Sequence, residues 1–368
     1  MAPLSWRLSF HLRKEIKTVL VNNRMVIYAT VAVLIFLPGV IVCLEAQTAG
    51  LPLVKIIATG GTIANTTGGR ITGNALISAI PQLKDHAQLE VEEFSRVRSD
   101  EITPKMMVDL AKRINQVFST EDQVAGIVVT VGSNGMEELA YFLHLTVKSV
   151  NPVVLTAAQR RHGTLGADGD RNLLDAITVA GSPQARGHGV LAVVNEEIHS
   201  ARDVTKTIAH RVNAWTSRDL GDLGLVDAGG QVSFYRSPLK KHTTQTEFNI
   251  SAVNELPNVY IVYAYLGADD VLVRASVDQG KAQGIVVAAF PTGGVPPKLL
   301  EGMKKVAEEG IVVAVSHRGG RGRIGPSSRY PDFIATDNLT PQKARILLML
   351  ALTQTSDLQK LQRMFDQY

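Results

Sequence analysis

The feature that most restricts this chain is a repeated alternation of short β-branched runs, without polar alternation, with segments of helical length. From Leu53 onward, VKIIAT (54–59), GIVVTV (126–131), PVVLTA (152–157) and GVLAVV (189–194) are predominantly apolar runs of strand length with no polar alternation. A strand with no polar alternation has both faces covered, as in a parallel sheet. Between these runs, ITPKMMVDLAKRINQVF (102–118) and MEELAYFLHLTV (136–147) place apolar residues at helical spacing. The pattern predicts an α/β fold, a larger N-terminal parallel sheet with helices on both faces, in which ligands bind at the carboxyl ends of the strands. A polar, turn-rich stretch, RSPLKKHTTQTEFNISAVN (236–254), breaks the rhythm. NVYIVYAYL (258–266), GIVVAAF (284–290) and GIVVAVS (310–316) then predict a smaller C-terminal α/β domain. The expected division is 51–235 for the N-terminal domain, 236–256 for a linker and 257–368 for the C-terminal domain, after a separate segment 1–50.

That first segment reads as a targeting element. Met25 to Leu44 is an uncharged apolar run long enough to cross a hydrocarbon core of about 30 Å. Basic residues precede it, which keeps the N-terminus in the cytoplasm and sends the body across the membrane. Leu44-Glu45-Ala46 resembles a signal-peptidase site, whereas the long basic lead and the length of the run suit an uncleaved anchor. Both readings stand, and either makes the body periplasmic or otherwise extracytoplasmic, with residues 25–44 its only membrane contact if the segment is uncleaved.

Composition removes several function classes. Residues 1–50 carry five Arg or Lys against Glu15 and Glu45, so +3 of the formal +4 belongs to them and +1 remains for the body. That surplus is too small for a nucleic-acid footprint. The single cysteine, Cys43, lies in the apolar segment, which excludes a disulfide framework and a cysteine-based metal site in the body.

The chemistry-bearing residues cluster just past predicted strand ends. Ala58-Thr59-Gly60-Gly61-Thr62-Ile63 follows the first strand; its glycines let the backbone approach a ligand, and Thr62 offers a hydroxyl nucleophile. Thr130-Val131-Gly132-Ser133-Asn134-Gly135 follows another strand and opens a helix, where Ser133 and nearby amides suit an anion or oxyanion. In Arg202-Asp203-Val204-Thr205-Lys206-Thr207, a desolvated Lys206 could act as a base for Ser133 or Thr62. No strand is followed by a Gly-x-Gly-x-x-Gly or a Walker A ending, so dinucleotide and nucleoside-triphosphate sites are excluded. His162, alone in an Arg-rich loop, reads as a surface residue.

Taken in order, ATGGTIA (58–64), AIPQL (79–83), MEELAYFLHLTV (136–147), ADG (167–169), ARDVTKT (201–207) and LTPQKARILLMLALTQT (339–355) resemble the bacterial type II L-asparaginases over residues 53–368. The resemblance implies a hydrolase that turns L-asparagine, and glutamine in some members, into the acid and ammonia through an acyl-enzyme. It implies neither metal nor organic cofactor, and a homotetramer whose sites are shared between subunits. By position it makes Thr62 the first-motif nucleophile, Ser133 the second hydroxyl, Lys206 its coupled lysine, and Gly61, Ser99, Asp100, Gly132 and Asn134 substrate contacts.

The sequence departs from that pattern around one predicted pocket. The family's His-Gly-Thr-Asp-Thr is Val131-Gly132-Ser133-Asn134-Gly135 here. Thr to Ser keeps a hydroxyl, while Asp to Asn removes the carboxylate that holds the substrate's α-ammonium. The lid after the first motif, Asn65-Thr66-Thr67-Gly68-Gly69-Arg70, is short and lacks the family's tyrosine, and SHRGGRGRIGPSSRY (316–330) offers no counterpart of the glutamate a neighbouring subunit contributes. Three functions follow: asparagine or glutamine hydrolysis, hydrolysis of an amide without a free α-ammonium, or binding of a small carboxylate without catalysis.

Overall fold

Strand β1 (Leu53–Gly60) is buried from its second residue to its last, because it lies inside a sheet rather than at an edge. The computed structural model describes residues 50–368, so the apolar run expected to act as a targeting element, with Cys43, lies outside the described residues. Among the described residues, no helix is long and apolar enough to cross a membrane.

After β1 come a small hairpin, β2 (Asn65–Thr66) and β3 (Gly69–Arg70), and then β4 (Gln88–Val97), β5 (Val124–Thr130), β6 (Val153–Thr156), β7 (Val190–Val194) and β8 (Glu197–Ser200). A two-residue pair, β9 (Thr205–Lys206) and β10 (Trp215–Thr216), precedes β11 (Gly224–Val226) and β12 (Val232–Phe234). The main sheet has the order β12-β11-β8-β7-β6-β5-β1-β4. Strands β4, β1, β5, β6 and β7 run parallel, whereas β8, β11 and β12 extend the sheet antiparallel. The expected parallel sheet is therefore its central part. Side chains alternate along β1, with Ile57 facing one core and Val54 and Ile56 the other. Helices Pro104–Thr120 and Met136–Thr146 cover the first face, and Gly73–Ser78 and Gly169–Gly181 the second.

The C-terminal sheet consists of β13 (Val259–Tyr263), β14 (Gly284–Ala289), β15 (Val312–His317) and β16 (Ile334–Ala335), all parallel and in that order. Helices Val271–Asp278 and Pro297–Glu308 pack on one face. On the other, helix Pro341–Leu352 shares a continuous apolar core with helix Met136–Thr146 of the first sheet. It starts at Thr340, whose hydroxyl accepts from the Lys343 amide at 3.3 Å, with Pro341 in the first turn where no amide donor is needed.

Strand order explains where a ligand can reach the backbone. The chain leaves β1 toward β4 on one side and leaves β5 toward β6 on the other. The carboxyl ends of the adjacent β1 and β5 thus open a crevice that neither connection covers, the position where open α/β sheets bind ligands.

Candidate active site

The crevice is drawn together by side-chain bonds between strand ends. The Thr59 hydroxyl donates to the Thr130 carbonyl at 2.8 Å, and the Ser95 hydroxyl to the Thr59 carbonyl at 2.9 Å, which ties β1 to both neighbours. Past β1 the chain turns at Gly60 and Gly61, with φ of 107° and 84°, values side chains rarely adopt. A Cβ on Gly61 would lie 2.3 Å from the Gly132 nitrogen, so the two motif backbones touch only because position 61 is glycine. Ser99 completes the junction, its Oγ being 2.6 Å from where a Cβ on Gly132 would stand.

These loops enclose a pocket of about 170 Å³ lined by Gly61, Thr62, Ser99, Asp100, Gly132, Ser133 and Asn134, together with Asn65, Arg70 and Arg98. Every substrate contact and both hydroxyls expected from the sequence lie on this one cavity. Lys206 stands behind it: its Nζ donates to Ser133 Oγ at 2.8 Å and to Asn134 Oδ1 at 3.0 Å. Ser133 is buried, whereas Asn134 is exposed at the rim. The Thr62 hydroxyl makes no hydrogen bond to another described residue.

Burial pulls the Lys206 ammonium below the ordinary lysine range, and no carboxylate offsets it. This follows from Asn134, since a neutral amide accepts a hydrogen bond from Nζ but does not hold a positive charge there. Lys206 is fixed from both sides. It pairs with Trp215 in the β9–β10 ribbon and sits 5.8 Å from the centre of that indole. The buried Lys343 of helix Pro341–Leu352 donates to the carbonyls of Ala201, Arg202 and Val204, which locks the segment leading to Lys206. Full burial brings the Lys343 pKa down to about 7. The sequence reading missed this clamp, although a lysine opening the apolar run ILLMLAL was a signal for it.

The short lid is held closed on itself. Arg70 Nε donates to Asn65 Oδ1 at 2.9 Å, the Thr66 hydroxyl to the Gly69 carbonyl at 2.8 Å, and Arg70 Nη1 to the Arg96 carbonyl. The His162 amide donates to the Asn65 carbonyl at 2.8 Å, and its ring meets Asp170 at 2.8 Å. His162 thus braces the lid through its backbone amide. Arg70 and Arg98 are pocket residues that the sequence reading did not select. Among the described residues no cluster of His, Cys, Asp and Glu could hold a metal ion.

This chain resembles known proteins over both of its sheets. Residues 53–240 match the asparaginase N-terminal domain, and residues 258–365 match the glutaminase/asparaginase C-terminal domain. The chain is 41% identical to L-asparaginase 2 of Bacillus subtilis (strain 168), over 86% of this chain and 87% of that protein. It is 38% identical to the probable periplasmic L-asparaginase of Haemophilus influenzae, over 88% and 95% of the respective chains. The crystal structure of a probable cytoplasmic L-asparaginase from Campylobacter jejuni superposes with a TM-score of 0.82 at 37% identity, covering 86% of this chain and all of that one. With both domain matches in sequence order, and with two glycine-hinged loops meeting over adjacent strand ends, the chain belongs to the asparaginase/glutaminase family.

Proposed function

We propose that this protein is an amidohydrolase of the L-asparaginase type, which releases ammonia from a carboxamide through an acyl-enzyme. The observation that carries the reading is the contact of Lys206 Nζ with Ser133 Oγ on the wall of a pocket that also holds Thr62. A hydroxyl becomes a nucleophile when a base within hydrogen-bond reach takes its proton. Deprotonated Lys206 fits this role, because the 2.8 Å contact with Ser133 Oγ can then reverse and take the hydroxyl hydrogen, while Asn134 Oδ1 still accepts an amine hydrogen. Ser133 Oγ then attacks the amide carbon, and its proton passes through Lys206 to the departing nitrogen. The C–N bond breaks, ammonia leaves, and water hydrolyses the ester to the carboxylic acid. Gly61, Ser99, Asp100, Gly132 and Asn134 are the proposed substrate contacts.

Thr62 as the nucleophile is the second reading, favoured by its position on the pocket wall beside the Gly60-Gly61 turn. Turnover of Thr62→Ala, Ser133→Ala and Lys206→Met separates the two. If Thr62 rather than Ser133 attacks the amide carbon, Ser133→Ala keeps most activity and Thr62→Ala abolishes it.

The two sheets, one within 53–234 and one within 259–335, support the division into domains at 51–235 and 257–368 joined by 236–256. Assembly as a homotetramer is supported by β13, an edge strand that exposes Tyr260, Ile261 and Tyr263 beside Leu266, Val271 and Leu272. Apolar residues clustered on an open sheet edge are a liability unless another chain covers them. A location outside the cytoplasm rests on the apolar run 25–44 and the periplasmic relative; intact mass of the exported protein tells a cleaved signal from a retained anchor.

A further inference from the structure

Three charged side chains line the pocket: Arg70, Arg98 and Asp100. Arg98 is already neutralised. It binds Asp100 through Nε and Nη2 at 3.0 and 3.1 Å, and Glu101 approaches its Nε at 3.8 Å. Arg70 is different, because its two bonds go to the neutral acceptors Asn65 Oδ1 and the Arg96 carbonyl. These bonds fix the plane of the guanidinium and leave three of its five N–H donors without a protein acceptor among the described residues. A fixed guanidinium fork with free donors matches a carboxylate better than any other small group. Across the pocket, Asn134 presents an amide engaged with Lys206, so no free carboxylate remains to hold an ammonium.

We propose that Arg70 is a specificity-determining residue that holds a carboxylate of the ligand, and that the pocket takes a carboxamide bearing a carboxylate but no amino group, the monoamide of a dicarboxylic acid. The assignment rests on the amidohydrolase reading only for what happens to the amide; the diacid product should bind whether or not the protein turns over. Asparagine carries the same carboxylate, yet its ammonium would face Arg70 and Lys206 while the one carboxylate on the pocket, Asp100, is already taken by Arg98, which selects against it.

Titration calorimetry of the protein with succinate and with L-aspartate tests this. Succinate is expected to bind at least tenfold more tightly. Arg70→Gln should weaken succinate at least tenfold, while Arg70→Lys, which keeps the charge and loses the fork, should fall between. Because Arg70 also pins the lid, the exposed Asn134→Asp supplies an independent check: it should move the preference at least tenfold toward aspartate. Aspartate binding as tightly as succinate to the unaltered protein, or succinate affinity indifferent to both Arg70 substitutions, overturns the assignment. Ammonia release from succinamate and asparagine keeps the two readings apart. Succinate bound through Arg70 with no ammonia from any amide would sink the amidohydrolase and leave the ligand class standing. Faster release from asparagine than from succinamate would do the reverse.

Discussion

Asn134→Asp places a carboxylate at 3.0 Å from the Lys206 ammonium and so tests the base assignment directly. Two unit charges that close attract by about 1.4 kcal/mol in water and by about 5 kcal/mol at an effective dielectric constant of 20. Asn134 is exposed and Lys206 only partly buried, so the solvent-screened end of the range applies. That amounts to about one pKa unit. The sign is upward, since the carboxylate stabilises the charged form. The amine that accepts the Ser133 proton then exists only at higher pH, and the acidic limb of kcat against pH should move up by about one unit. At a pH below that limb, kcat falls about tenfold. The KM for asparagine should move the other way, because the carboxylate also regains a charge-assisted bond to the α-ammonium. The assay is continuous ammonia release at saturating succinamate and asparagine over a series of pH values. A limb that stays in place, with KM alone altered, would refute Lys206 as the base.

Other substitutions give further outcomes. Ser133→Ala and Lys206→Met should each lower kcat by about a thousandfold or more, and the double mutant should be hardly worse than either, because residues acting as a unit lose their effect together; a multiplicative loss in the double would contradict the pair. Lys343→Met should lower stability by about 2–4 kcal/mol in urea unfolding below pH 7, where the ammonium donates to three buried carbonyls that the variant leaves without a donor. Burial brings Lys343 to about 7 from 10.5, so between those pH values the unfolded chain holds a proton the folded one lacks, and stability should rise with pH in the unaltered protein. A Lys343→Met variant with the same pH slope would show that Lys343 is not its source. Light scattering at micromolar concentration should find an oligomer; Tyr263→Lys on β13 should loosen it, and a monomer in the unaltered protein would count against shared sites.

What the sequence made legible follows from burial. Strands β1, β5, β6, β7, β14 and β15 are almost wholly buried and mostly apolar because both faces are covered, so composition marks them. β4 escaped notice because it is an edge strand whose exposed positions are filled by Gln88, Glu90, Glu93 and Arg96, and its partly buried ones include Glu92. The antiparallel β8, β11 and β12 are three or four residues long, too short to show a period. At the site, Thr62, Ser133 and Lys206 stood out because hydroxyls and a lysine beside glycines, just past strands, have few structural uses. Arg70 did not, because its role arises from a hairpin that turns it back toward β4, a contact across 26 residues to Arg96. Lys343 was hidden by a tertiary contact to a segment 139 to 142 residues away.

The central claim is that this pocket splits a carboxamide with Lys206 as the base for Ser133. The most direct measurement is ammonia release from succinamate, asparagine and glutamine by the purified protein and by Ser133→Ala in parallel. Ammonia from at least one amide, lost in Ser133→Ala while calorimetry shows the product acid still bound, is the expected result. Undiminished release by Ser133→Ala, or no release from any of the three by the unaltered protein, would contradict it.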